Sequence, residues 1–269
     1  MRIIAMALGL VVALAATGCG PGGSSSVAGK SSLVVGVKAD QPGLGLEDAH
    51  GNFAGFDVDV AKYVAGKLGA SQVTFKAITS AQRESWLQQG LVDMVIATYS
   101  ITPQRETLVT FAGPYYVAHQ DTLVTTAETD IHTVHDLAGR RICSVPGSAS
   151  AQRITVALGI PAVPVPAASY SDCISKLAAG SLDAVSTDDL ILAGFAASRK
   201  GAMVPLNAPL SDERYGVGLH KGDIDGCEAV NRAITAMYQD GTAPRLLDKW
   251  FGSTTLQLTT AVPQFEGCS

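Results

Sequence analysis

The sequence predicts an α/β protein built as two similar lobes, and two observations lead there. Short β-branched apolar runs alternate with stretches of helical spacing along most of the 269 residues, the grammar of sheets covered by helices. In addition, Leu87-Gln88-Gln89-Gly90-Leu91-Val92-Asp93-Met94-Val95 recurs 90 residues later as Leu177-Ala178-Ala179-Gly180-Ser181-Leu182-Asp183-Ala184-Val185, each time a helix end, a glycine stop and a strand. With 47% hydrophobic and 16% charged residues, a chain of this length can bury one or two full cores.

The N-terminus reads as an export signal. Arg2 is followed by an apolar run, Ile3 to Ala16, and by the small-residue exit Ala16-Thr17-Gly18-Cys19. The stretch from Ile3 to Gly18 has 16 residues, short of the roughly 20 that a permanent spanning helix needs. Residues 1–18 are therefore expected to be a signal peptide. The segment from Ala16 to Cys19 resembles a bacterial lipobox, with Ala16 where Leu is usual. Cys19 would then be the lipidated first residue and residues 19–31, Gly- and Ser-rich as far as Gly29, a flexible tether.

In the body, Leu33 to Val37 suits a buried strand and Asp40 to Gly45 a glycine-rich loop, with a turn at Glu47 to Gly51. Asp57 is placed to cap a helix whose apolar face is Val58, Ala61, Val64, Ala65 and Leu68 and which Gly69 ends. Val73 to Ile78 is the next strand, Ser80 caps a short helix that stops at Gly90, Met94 to Ala97 is a central strand, and Thr102-Pro103 opens another helix. Ile142 to Val145 is a strand of the second lobe, and Leu190 to Phe195 a helix after the repeat strand. Asp121 to Thr126 and Ser211 to Leu219 are the candidate crossings between lobes. Lobe 1 is then discontinuous, residues 32–122 and 215–269, and lobe 2 is residues 123–214. Asp225 to Asp240 and Pro244 to Phe251 are closing helices, and Gly252 to Ser269 a tail.

Composition excludes several function classes. Lys plus Arg number 19 against 24 Asp plus Glu, with no basic run to track a phosphate backbone, so no nucleic-acid partner is expected. Export lets Cys143, Cys173, Cys227 and Cys268 pair; three pairings are open, and proximity favours Cys143 with Cys173 and Cys227 with Cys268. No Cys-x-x-Cys occurs, and His132 and His135 have a metal-compatible spacing without a third ligand, so neither metal nor cofactor is expected. Trp86, Trp250, Tyr115 and Tyr116 read as packing residues.

The chemistry sits at strand-to-helix junctions. Thr98 to Arg105 place hydroxyls after a buried strand and an Arg in the first turn of the following helix, where free N–H groups, the helix dipole and a guanidinium fork suit a carboxylate. The alternative for Arg105 is a surface position beside Glu106. Pro146-Gly147-Ser148-Ala149 lies between a strand and a helix, so its amides can close on the same anion. Of Asp188 and Asp189, after the repeat strand, one suits an ammonium and the other a helix cap.

Several of these segments together carry a resemblance: Asp40 to Gly45, Gly55 to Ala61, Thr98 to Arg105, Phe111 to Val117, Val145 to Ser148, Leu182 to Asp189 and Lys249 to Gly252. In this order, over roughly Leu33 to Gly252, the chain resembles the family 3 extracytoplasmic solute-binding proteins of amino-acid ABC importers. Asp40 to Gly45, Ser80-Ala81-Gln82-Arg83-Glu84 and the Cys143/Cys173 pair are most similar to the glutamate-binding lipoproteins of actinobacterial type. The resemblance implies a two-lobed periplasmic-binding-protein fold, type II-like, each lobe a central sheet flanked by helices. It implies a monomer, not an enzyme, that captures glutamate, aspartate, glutamine or asparagine in a closing cleft. That monomer would be lipid-anchored to the outer face of the cytoplasmic membrane and would deliver its ligand to an ABC permease and its ATPase. Arg105 would take the α-carboxylate with Thr98, Ser100, Ser148 and the backbone at Ala149, and Asp188 the α-ammonium. Arg83 and Lys38 would meet an acidic side chain, with Asp40 in the same first loop. Many relatives have Thr where Ala149 stands and an aromatic in place of Leu44, which removes one hydroxyl contact and an aromatic lid. A dehydratase-like enzyme on the same scaffold and an amino-acid sensor domain are the alternative readings; the sequence has no Gly-x-Ser-x-Gly, Ser-x-x-Lys or His-Glu-x-x-His.

Overall fold

The computed structural model of the chain describes residues 26–269, and the expected signal peptide and Cys19 lie outside them. Strand β1 (Ser32–Val37) leads through the short strands β2 (Asp40–Gln41), β3 (Gly45–Glu47) and β4 (Phe53–Ala54) to helix α1 (Phe56–Lys67) and strand β5 (Gln72–Ala77). Helix α2 (Arg83–Gln88), strand β6 (Met94–Val95), helix α3 (Pro103–Glu106) and the long strand β7 (Thr110–Thr125) follow. Lobe 2 then contributes β8 (Arg141–Ser144), α4 (Ser150–Gln152), which continues as a π-turn over Arg153–Ala157, β9 (Val163–Pro166), α5 (Tyr170–Ala178), β10 (Val185–Asp188), α6 (Asp189–Ser198) and β11 (Met203–Pro205). Strand β12 (Ser211–Leu219), α7 (Ile224–Gln239) and α8 (Thr242–Phe251) complete the order.

The main sheet runs β10-β7-β12-β6-β1-β5, with β11 also paired to β7. Strand β1 is parallel to β5 and β6, whereas β12 is antiparallel to both β6 and β7. The 16-residue β7 pairs at Thr110 with Leu219 beside β6 and, at its other end, with β10 and β11. Two antiparallel strands therefore carry the chain between the lobes, and the register shift between Tyr215 and Val217 is the irregularity in that ladder. The crossing is a continuous hydrogen-bonded ribbon, longer on the β7 side than the expected Asp121 to Thr126.

The internal repeat has a physical basis. After α2, Gly90 at φ 65° donates to Leu87 O and Leu91 donates to Trp86 O; after α5, Gly180 at φ 70° donates to Leu177 O and Ser181 to Lys176 O. Both helices end in the same left-handed glycine cap. Asp93 then accepts from the Val34 N–H at 2.7 Å and Asp183 from the Arg141 N–H at 2.7 Å, so each repeat's aspartate pins a neighbouring parallel strand.

Three local expectations need correction. Asp57 does not cap α1: Gly55 holds that position, and the Asp57 carboxylate turns into the core to accept from Tyr115 Oη at 2.7 Å and the Thr98 N–H at 2.9 Å. Thr79, not Ser80, caps the turn before α2, through a reciprocal bond with Gln82 that frees the Ser80 hydroxyl. The chain is fastened from Val27, which is buried and donates to Asp223 at 2.9 Å, so the expected tether is docked at its C-terminal part.

Disulfides join Cys143 to Cys173 and Cys227 to Cys268, the pairs that proximity favours. The second fastens the tail, whose Glu266 N–H donates to Gly113 O and whose last carbonyl accepts from Thr110 Oγ1 at 2.8 Å. Closing a 41-residue separation contributes about 3–4 kcal/mol by chain entropy. A Cys227→Ser/Cys268→Ser variant is expected to lower the thermal midpoint by roughly 10 °C, read by circular dichroism, with ligand binding retained.

Candidate functional site

One narrow cavity between the lobes is lined by Arg83, Thr98, Ser100 and Arg105 of lobe 1 and by Ser148, Ala149 and Asp188 of lobe 2. A second cavity, adjoining it at Ser80 and Tyr170, is lined by Lys38 and Asp40. All nine ligand-contact candidates of the sequence thus meet at one interlobe cleft.

Lobe 1 supplies a cationic wall. Thr102 caps α3, its hydroxyl accepting from the Arg105 N–H at 3.3 Å, and this sets Arg105 in the first turn. Arg105 Nη1 donates to Ser100 O at 2.7 Å, and its guanidinium lies 5.2 Å from the Tyr99 ring, with Glu84 at 3.5 Å from Nε. Arg83 is buried on the same ring at 4.4 Å and donates to Ser80 O, Ala97 O and Thr98 O, each at 3.1 Å. Burial, then the charge of Arg105, lowers the Arg83 pKa to about 10. Two guanidiniums beside a single glutamate leave a net positive charge facing the cavity, which an anion relieves. Thr98 itself sits at φ 45°, a conformation costly for a β-branched residue and held here by Asp57.

Lobe 2 answers with one carbonyl. Arg83 Nη2 and Arg105 Nη2 both donate to Gly147 O, each at 2.9 Å. Gly147 has φ 78°, and a Cβ there would lie 2.5 Å from Ala81 N, so no side chain fits between the lobes at this point. Behind it, Ser148 Oγ and Tyr170 Oη are 2.7 Å apart, and Ser150 Oγ extends the hydroxyl chain toward Thr187.

The acidic side of the cavity is Asp188. It ends β10, is buried, accepts from Tyr215 Oη at 2.7 Å and stands at the N-cap position of α6 without a side-chain capping bond; Asp189, already in the helix, accepts from the adjacent Leu190 N–H, so neither side chain makes the expected cap. Burial, then the neighbouring Glu213, raises the Asp188 pKa well above the carboxylate range. Glu213 lines the same cavity and is ion-paired with Arg153 of the π-turn, which also donates to Gln120 at 2.6 Å.

In the second cavity Lys38 Nζ donates to Ser80 Oγ at 2.6 Å, and burial, then Arg83, lowers the lysine pKa to about 7. Asp40 accepts from the Ser171 hydroxyl at 2.9 Å and thereby ties the first loop to α5 of the other lobe. Sequence reasoning passed over Ser150, Tyr170 and Glu213. For Glu213 a signal existed: it shares the inward parity of Tyr215 and Val217 on β12. Among the described residues no cluster of metal-binding side chains occurs, and no helix is long and apolar enough to cross a membrane.

The family model of the bacterial extracellular solute-binding proteins, family 3, matches residues 33–253. The chain is 39% identical over 267 residues to the glutamate-binding protein GluB of Corynebacterium glutamicum, covering 94% of this chain and 90% of that protein. An ancestral arginine-binding protein bound to arginine superposes with a TM-score of 0.77 at 32% identity, over 83% of this chain and 100% of that one. An ancestral amino acid-binding protein, a precursor of cyclohexadienyl dehydratase, does so with 0.74 at 30% identity, over 82% and 95%. With the sheet order above, these likenesses establish the two-lobed, type II-like fold that the sequence predicts.

The close fit at Gly147 makes a sharp prediction. Gly147→Ala is expected to hold the lobes apart and to weaken every cleft ligand by at least tenfold in calorimetry, with the thermal midpoint lowered by only a few degrees, the cost of a side chain at φ 78° outside either lobe's core.

Proposed function

The chain belongs to the family 3 bacterial extracellular solute-binding proteins, and we propose that it captures an L-amino acid, with glutamate preferred, by closing its lobes over the zwitterion. The observation that carries this reading is one cavity with Arg105 on the lobe 1 wall and the buried Asp188 on the lobe 2 wall. Arg105 keeps guanidinium N–H groups beyond those bonded to Ser100 O and Gly147 O, and these take the α-carboxylate beside the Thr98 and Ser100 backbone. Asp188 takes the α-ammonium. The name of the relative from Corynebacterium glutamicum supports glutamate.

Lys38 is the better partner for the side-chain carboxylate. Arg83 already donates to four carbonyls, one of them across the cleft, so its part is to hold the closed form. The Lys38 ammonium has one hydroxyl partner, Ser80, and two further hydrogens. Magnitudes agree with closure: micromolar binding needs about -8 kcal/mol, a high yield per atom for so small a ligand, and charge-assisted bonds contribute about 1.5–3 kcal/mol each when water is excluded.

The wider role follows the same reading. Residues 1–18 direct export, Cys19 carries the lipid anchor on the outer face of the cytoplasmic membrane, and the closed monomer hands its ligand to an ABC permease and its ATPase. A lyase on the same scaffold is the second reading, favoured by the raised pKa of Asp188, a state suited to a general acid. Incubation with prephenate-type substrates and analysis of products tests it.

Arg105→Ala is expected to weaken glutamate and glutamine alike by about a hundredfold, the loss of a charge-assisted bidentate contact, whereas Lys38→Met should cost glutamate about tenfold and glutamine, whose γ-carbonyl is a neutral acceptor, about threefold. Equal loss of both ligands at Lys38 would remove its selective role. Proton linkage gives an independent readout. Asp188, its pKa raised, holds a proton near neutral pH until an ammonium displaces it, so binding releases protons and affinity falls as pH drops below that raised value. Glutamate also draws a proton onto Lys38, whose pKa of about 7 rises against an anion. Calorimetry at pH 7 in buffers of different ionisation enthalpy should therefore show a larger release with glutamine than with glutamate.

A further inference from the structure

The second cavity is larger than a glutamate side chain requires. It holds about 250 Å³, room for about eight water-sized groups at ~30 Å³ each, against the handful of heavy atoms a glutamate carries beyond its α-carbon. It shares Ser80 and Tyr170 with the Arg105–Asp188 cavity, which is narrow at about 20 Å³ with the lobes in contact, so a ligand whose head parts the lobes there can extend into the larger space. Small and aliphatic residues, Ala77, Ala168 and Val145, line it together with the polar Gln41, Thr79 and Ser169, and Tyr170 is the one aromatic among the residues that line it. Ala77 and Ala168 are exposed, which places the mouth of the cavity at the protein surface.

Its polar groups limit what can extend there. One oxygen of Asp40, Oδ2, accepts from both the hydroxyl and the N–H of Ser171 and so serves the lobe contact. Lys38 is the cation of this cavity, buried at its inner end and bonded to Ser80. A ligand reaching through must present an acceptor to Lys38 and then continue toward solvent. A γ-amide carbonyl with a substituent on its nitrogen has that form.

We infer that the cleft also takes γ-substituted glutamates, namely γ-glutamyl amides and γ-glutamyl dipeptides. The free α-amino-acid head lies between Arg105 and Asp188, the γ-carbonyl accepts from Lys38, and the substituent fills the second cavity. The inference rests on the reading of the head site given under Proposed function. It excludes α-linked glutamyl peptides, in which the α-carboxylate that Arg105 reads has become an amide.

Calorimetry of the mature chain with L-glutamate, γ-L-glutamylglycine and α-L-glutamylglycine tests it. The γ-dipeptide is expected to bind within about tenfold of glutamate and to compete with it, and the α-dipeptide not to bind. Ala168→Trp, at the exposed mouth, should weaken the γ-dipeptide at least tenfold and glutamate less than threefold. Glutamate binding without measurable γ-dipeptide binding overturns this inference alone, as does equal loss of both ligands in Ala168→Trp. Failure of glutamate itself to bind overturns the head-site reading and this inference with it.

Discussion

Two guanidinium groups of one lobe converge on a single backbone carbonyl of the other, and the rest of the cleft is arranged around that contact. Arg83 and Arg105 repel each other, yet both donate to Gly147 O and both lie on the ring of Tyr99. A neutral carbonyl dipole offsets only part of that repulsion; a carboxylate placed beside it completes the balance. On the proposed reading, an anion bound here strengthens the contact that closes the lobes. The backbone shape that permits it is a glycine where a methyl group would meet the Ser80–Ala81 peptide.

The opposite wall solves the inverse problem. Asp188 and Glu213 are two buried acids in one cavity, and only Glu213 has a guanidinium, that of Arg153, paired with it. Asp188 is thereby driven toward its protonated form until a cation arrives. An amino acid is the simplest molecule that brings an anion to one wall and a cation to the other. The strained Thr98, held by Asp57 and backed by Tyr115, fixes the loop between these walls. Part of the stability of lobe 1 thus goes into the geometry of the site.

The two-lobed α/β architecture was legible because each copy of the repeat encodes a glycine-capped helix stop by local bonds, followed by an aspartate that anchors a neighbouring strand 59 or 42 residues back. That Arg105 and Asp188 face one cavity was legible for a related reason: each stands at a strand or helix end where sequence spacing places side chains reliably. Gly147 as a shared acceptor was not legible, since its partners lie 64 and 42 residues away in the other lobe. The cap at Thr79 was misassigned to Ser80 by one residue because both are good capping residues, and only tertiary packing shows the Ser80 hydroxyl bonded to Lys38. Asp57 looked like a helix cap because it begins an apolar periodic run, but the acceptor requirement of a buried tyrosine took precedence.

A crystal structure of the mature chain grown with L-glutamate bears most directly on the account. The α-carboxylate should lie within hydrogen-bond distance of the Arg105 guanidinium, the α-ammonium against Asp188 in place of its proton, and the γ-carboxylate on Lys38, with Gly147 O still accepting from Arg83. Glutamate bound outside the cleft, or bound within it without contact to either Arg105 or Asp188, would contradict the account.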